Sequence, residues 1–358
     1  MEATIIDWSM GSRAAVLVDW ATAAETGRRV AGTGTRAVAV ERARLREDLG
    51  ALVAEADEAV AEFTGLRAAG FRSRPWVMSR GEWISANLTG LQRLLEPLAA
   101  KLVPPGARRS ELRRKALGAE IGILLGYVSR KVLGQYDVFL PPDDDGLLYF
   151  VGPNVLEAEA RFGLDRRDFR LWIAIHEVTH RVQFGSTPWL KPYLKRHIDA
   201  YLDTVQVESR ELMAQLRRAA EEIRAGADWR GPQGMLLLMN DEQRALFAKM
   251  QAMMALLEGH ASFVMNGVAT GRVQDLPGMR RALRERRRTG GVERGFQRAI
   301  GFETKIAQYD IGERFVRAVV REAGMGGLNR IWEREEHLPT LQEIAEPARW
   351  VGRVPGSP

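Results

Sequence analysis

The chain has 358 residues, 46% hydrophobic and 27% charged, a balance that supports a sizeable core and excludes wholesale disorder. It has no cysteine and five histidines, so disulfide staples, thiolate zinc fingers, iron–sulfur clusters and cysteine nucleophiles are excluded, and any transition-metal site must use His, Asp or Glu. The 52 Lys and Arg against 46 Asp and Glu give a net charge of +6, which over this length reads first as a solvated surface.

No segment approaches the ~18 consecutive apolar residues of a membrane span, and Glu2 and Asp7 precede any basic residue, unlike a secretory signal. The expectation is a cytoplasmic protein with no membrane partner.

From Arg13 to about Leu66 the spacing is helical, with Leu45, Leu49, Leu52, Val53 and Val60 on one apolar face, and predicts two or three helices. Arg67 to Ser79 reads as a break around Gly70 and Pro75. Ser79 and Glu82 then form a capping box for a helix through about Leu102, ended by Pro104, Pro105 and Gly106. The next helix, about Arg109 to Leu133, carries Gly118, Gly122 and Gly126. Glycine costs a helix about 1 kcal/mol each, so three on one face predict close helix approach.

Val138–Leu140 and Leu147–Val151, on either side of Pro141, Pro142, Asp143–Asp145 and Gly146, read as a hairpin. Helices resume near Asp165 and continue to about Pro339. The fold class is therefore mainly α with a small β element. The expected organisation is an amino-terminal helical region, 1–105, and a metal-binding region, 106–358, that can pack as one unit.

Chemistry concentrates in Leu171-Trp172-Ile173-Ala174-Ile175-His176-Glu177-Val178-Thr179-His180. At about 100° per residue the two histidines of His-Glu-x-x-His share a helix face one turn apart, the spacing that lets both imidazoles reach one zinc ion. Glu177 lies one step around, where a carboxylate can take a proton from water in the metal's open position. Leu171, Ile175, Val178 and Val182 form an apolar stripe that buries the helix and holds the ligands still.

Two histidines leave zinc a protein ligand short. Arg181, Val182, Gln183, Phe184 and Gly185 follow His180, so a third histidine of the metzincin kind is absent. The leading candidate is Glu258 in Leu256-Leu257-Glu258-Gly259-His260-Ala261, on a helix starting near Asn240 with Gln243 at the capping-box position. A glutamate on an otherwise apolar helix needs a partner, and small Gly259 and Ala261 permit close approach to the ligand helix. His260, Asp199, Asp203 and Glu208 are the alternatives, and His260 otherwise orients Glu258 or contacts substrate.

In combination, His-Glu-Val-Thr-His with Gln183-Phe184 and Pro188-Trp189-Leu190, Leu-Leu-Glu-Gly-His-Ala at 256–261, Gly-Gln-Tyr-Asp at 134–137, Tyr-Phe-Val-Gly-Pro-Asn at 149–154 and Gln308-Tyr309 resemble the zincin-like family 2. The resemblance covers about Trp76 to Val354. It implies a metallohydrolase of a family often labelled as associated with biosynthesis of a deazaflavin coenzyme. The Glu-Gly-x-Ala pattern also resembles the glutamate helix of gluzincin metallopeptidases, which implies Glu258 as third ligand and Glu177 as general base. Glu258 stands further from His180 than in thermolysin-like gluzincins, with room for a helical insertion between them.

The implied chemistry is hydrolysis of a peptide or amide bond with one zinc ion. Lys305, Gln308, Tyr309 and Gly312 share a helix face that would be polar and pocket-facing, and Tyr309 is the candidate oxyanion donor, with Tyr136 behind it. Leu147–Val151 would pair with an extended substrate if it were an edge strand.

Two other readings stand beside the enzyme. One is a non-catalytic helical binding or scaffold protein with a structural or degenerate metal site. The other is a polyanion-binding protein acting through Arg280, Arg281, Arg284 and Arg286–Arg288, although no interleaved aromatics mark a nucleic-acid partner.

Overall fold

The computed structural model describes residues 14–32, 39–70, 72–103, 110–138, 146–204, 239–287 and 302–354, without the side chains at 39, 102, 283, 284, 286, 287 and 302–309. The chain forms two compact units, Met1–Ala54 with Phe71–Ile173, and Glu55–Gly70 with Ala174–Pro358.

The first unit contains α1 (Ala14–Leu17), α2 (Trp20–Ala31), the start of α3 (Ala39–Thr64), β1 (Arg74–Met78), α4 (Arg80–Leu102), α5 (Glu111–Ser129), β2 (Gly134–Tyr136), β3 (Leu147–Val151), α6 (Gly152–Phe162) and the first residues of α7 (Arg166–Gly185). Both halves of the Ser79–Glu82 capping box form at the start of α4, at 3.1 and 2.6 Å. The glycines of α5 lie against the backbone of α2: a methyl at Gly122 would fall 2.5 Å from the Ala23 carbonyl oxygen, and one at Gly126 2.6 Å from that of Gly27. Gly118 meets the Asp19 carbonyl in the same way. The lost helix propensity is the cost of this approach.

The sheet has the order β1-β3-β2. β1 runs parallel to β3, from Arg74↔Leu147 to Met78↔Val151, and β2 antiparallel, from Gly134↔Phe150 to Tyr136↔Leu148. The sheet differs from the sequence reading in its first strand and answers the question left open about β3. β1 falls inside the segment read as a break, because Pro75 looks disruptive yet is tolerated on an edge strand. The described strand preceding β3 is 134–136; of the expected strand 138–140 only Val138 is described, in a turn, and 139–145, with the aspartate run, lies outside the described residues. β3 is central rather than an edge, so its backbone is not open to an extended substrate. Burial of Leu148 to Val151 explains its unbroken apolar run.

The second unit contains the ends of α3 and α7, then α8 (Leu190–Asp203), α9 (Asp241–Ala269), α10 (Leu276–Arg287), α11 (Phe302–Asn329), two 3-10 turns, α12 (Leu341–Ala345) and α13 (Pro347–Arg353). The expected Asn240–Gln243 capping box opens α9. α9 and α11 cross at Gly259 and Gly312, where a methyl at Gly259 would fall 2.5 Å from Gly312 Cα and from Glu313 N. No described helix is long and apolar enough to cross a membrane.

Candidate metal centre

In α7, Leu171, Ile175, Val178 and Val182 are all buried, so the apolar stripe fixes the helix and with it the face carrying the histidines. His176 Nε2 and His180 Nε2 lie 3.3 Å apart. Glu258 enters from α9, with Oε2 3.8 Å from His176 Nε2 and 3.6 Å from His180 Nε2.

A point equidistant from these three atoms lies about 2.1 Å from each, the bond length zinc takes with imidazole nitrogen and carboxylate oxygen. Two imidazoles and one carboxylate are also a donor set that zinc accepts. The residues present therefore fit the ion in both distance and chemistry. Among the described residues, they are the three His, Asp or Glu side chains whose ligand atoms converge in this way.

Neighbouring carboxylates and burial act on the two histidine rings in opposite senses. Burial alone would favour the neutral His180 ring, but the hydrogen bond and charge of Glu258, the charge of Glu177 and the bond to Gln183 together raise its pKa above the ordinary 6.5. His260 is pushed down to about 3, first by burial and then by the charge of His180. It stays neutral at any ordinary pH. Glu177 is only 5% exposed.

His260 is held by other partners: its Nδ1 takes a hydrogen bond from Gln183 Nε2 at 2.9 Å, and its ring meets Trp332 edge to face at 5.2 Å. Asp199 is paired with Lys195, Asp203 ends α8 and is not one of the three converging donors, and Glu208 lies outside the described residues. Gly259 gives close approach, but to α11 rather than to the helix bearing the histidines. Gly312 accordingly packs against α9 and does not open a pocket. The side chains of Lys305, Gln308 and Tyr309 lie outside the described residues, and Tyr136 belongs to β2 of the first unit. Of the arginine cluster, Arg280 is bonded to Asn266, Arg281 is exposed, and the side chains of Arg284 and Arg286–Arg288 lie outside the described residues.

Sequence reasoning placed Gln183 in the family motif but gave it no role at the site. Its side chain is fully buried between α7 and α9, bonded to His180, His260 and the Leu257 carbonyl. The available signal was its position three residues after His180, on the same helix face.

Comparison with known proteins agrees with this geometry. None of the curated proteins matches the chain. A solved structure described as "a putative hydrolase with a novel fold from Chloroflexus aurantiacus" is 31% identical, covers 94% of this chain and 98% of its own, and superposes with a TM-score of 0.72. The family described as zincin-like metallopeptidase matches residues 18–351, extending the resemblance read from the motifs into the amino-terminal helices. This family implies a bound metal, and with the match covering nearly its full length, the chain belongs to the zincin-like metallopeptidases.

Proposed function

We propose that this protein is a zinc-dependent hydrolase of peptide or amide bonds, holding one zinc ion through His176 Nε2, His180 Nε2 and Glu258 Oε2. The observation that carries the reading is the convergence of those three atoms at 3.3, 3.6 and 3.8 Å. The chemistry a bound zinc supplies is Lewis acidity, which lowers the pKa of a water in its open position toward about 7 and polarises a carbonyl.

Glu177 supplies the general base. It precedes the buried turn carrying His180, is itself buried, and is close enough for its charge to act on His180. Its carboxylate takes the proton of the attacking water and returns it to the leaving amine. The oxyanion that forms on the substrate needs a donor, and Tyr309 is the residue we assign to it on the sequence pattern.

Metal analysis of the purified chain tests the ligand set. About one zinc per chain is expected, lost in His176→Ala and in Glu258→Ala and kept in Glu177→Gln. Equal zinc content in Glu258→Ala would remove that residue from the site.

A further inference from the structure

Gln183 is 0% exposed, and a buried primary amide must find partners for two N–H donors and one oxygen. Its three bonds are Nε2 to the Leu257 carbonyl at 2.8 Å, Nε2 to His260 Nδ1 at 2.9 Å, and Oε1 to His180 Nδ1 at 2.9 Å. A backbone carbonyl only accepts, so the contact with Leu257 fixes which end of the amide carries the hydrogens. Oε1 must then face His180, and an amide oxygen only accepts, so His180 Nδ1 must carry a proton. The lone pair of the neutral ring is left on Nε2, the atom that points at His176 and Glu258.

Leu257 immediately precedes Glu258. The one amide therefore grips the imidazole of His180 on α7 and the backbone beside Glu258 on α9. His260 closes the arrangement by accepting the second N–H, so that turning the amide over would face its oxygen toward the Leu257 carbonyl, an acceptor that would then lose its donor.

We infer that Gln183 is a positioning residue for the metal site, fixing His180 in the tautomer that presents Nε2 and holding the Glu258 backbone at the distance where its carboxylate joins the histidines. This rests on the zinc reading above. A residue that only filled the space between two helices would need neither the polarity nor the direction of this amide.

The test compares Gln183→Met, which keeps length and volume but removes all three bonds, with Gln183→Glu, which keeps an acceptor for His180 Nδ1 and loses both donors. Zinc affinity is measured by competition with a chromophoric chelator, and melting temperature is measured on the metal-free proteins. Removing the partner of a ligating histidine typically weakens metal binding by about 10–100-fold, the loss expected for Gln183→Met. Gln183→Glu should bind zinc more tightly than Gln183→Met although it melts lower, because its carboxylate faces the Leu257 carbonyl without a hydrogen to offer.

A space-filling role predicts the opposite order, with affinity following melting temperature. In the zinc-loaded wild-type protein, nitrogen-15 NMR should show a slowly exchanging Nδ1–H on His180, and in Gln183→Met that proton should exchange faster. This readout decides the matter without Gln183→Glu if that variant does not fold. Wild-type protein that takes up no zinc would overturn the metal site itself. Wild-type protein that takes up zinc alongside a Gln183→Met variant of equal affinity would overturn only the role given to Gln183.

Discussion

Gly259→Ala adds one methyl to a helix and removes no interaction, yet the packing predicts that it damages both stability and metal binding. The methyl would fall 2.5 Å from Gly312 Cα and from Glu313 N. The Gly312 carbonyl carbon would lie closer still, and non-bonded carbon contacts settle near 3.5 Å or more, so α9 and α11 must part by at least about 1 Å. Overpacking of this kind costs about 1–3 kcal/mol, against about 1 kcal/mol gained by replacing glycine in a helix.

The displaced residue is the neighbour of Glu258, whose Oε2 stands 3.8 and 3.6 Å from the two histidine nitrogens. A shift of about 1 Å carries it well outside the ~0.2 Å tolerance of a zinc ligand. Zinc affinity should fall at least about tenfold, on the scale seen when ligand orientation is lost. Gly50→Ala is the matched control, because Gly50 lies within α3 and a methyl there meets nothing within 4 Å. It should raise stability by about 0.5–1 kcal/mol. Denaturant unfolding and chelator competition on both variants provide the measurement. A Gly259→Ala protein that gains stability like Gly50→Ala and holds zinc as tightly as wild type would refute the claim that this crossing sets the position of Glu258.

Three further outcomes are expected. Glu177→Gln should keep its zinc while losing about 10²–10⁴-fold in turnover on any peptide or amide substrate the wild type cleaves, and unchanged turnover would remove Glu177 as the base. Asn154 accepts from Arg80 Nε at 2.7 Å and donates to the carbonyls of Ser129 and Val132 at 2.7 and 2.5 Å while buried. Asn154→Ala should therefore cost the first unit about 2–4 kcal/mol in denaturant unfolding, and a loss under about 0.5 kcal/mol would contradict that role.

The third concerns acid. Burial alone would raise the pKa of Glu343, but Arg353 and the Thr340 backbone and hydroxyl together hold it below the ordinary 4.5. The folded state thus binds this proton less readily than the unfolded state. The stabilisation is fully present above the ordinary value and disappears as pH falls through the lower folded value. The melting temperature of wild type should exceed that of Glu343→Gln at pH 7, with the gap closing as pH drops below the ordinary 4.5. A gap independent of pH would show that the carboxylate charge is not what matters.

The parts of this protein that were legible in its sequence are those set by local rules. The Ser79–Glu82 and Asn240–Gln243 boxes mark helix starts because their bonds close within four residues. Three glycines at helical spacing announced a backbone contact, though not that α2 was its partner. The His176–His180 pair was visible because one helix turn fixes the distance between two side chains.

What was hidden depends on partners remote in sequence. β1 reads as a break because its pairing with β3, not its own composition, makes it a strand. Gly259 signalled a close neighbour without saying that α11 supplies it. Gln183 could be seen beside His180, but its value comes from Leu257 and His260 on another helix, a relation that only the folded chain displays.

The most direct measurement is zinc-edge X-ray absorption on the metal-loaded protein, combined with metal quantification. One zinc per chain is predicted, bound by two imidazoles and one carboxylate from the protein, with a remaining oxygen donor that exchanges with a hydroxamate or other small anion. Loss of the carboxylate in Glu258→Ala should accompany loss of the metal. A chain that binds no zinc, or a sphere closed by four protein ligands that no added anion alters, would contradict the hydrolytic site.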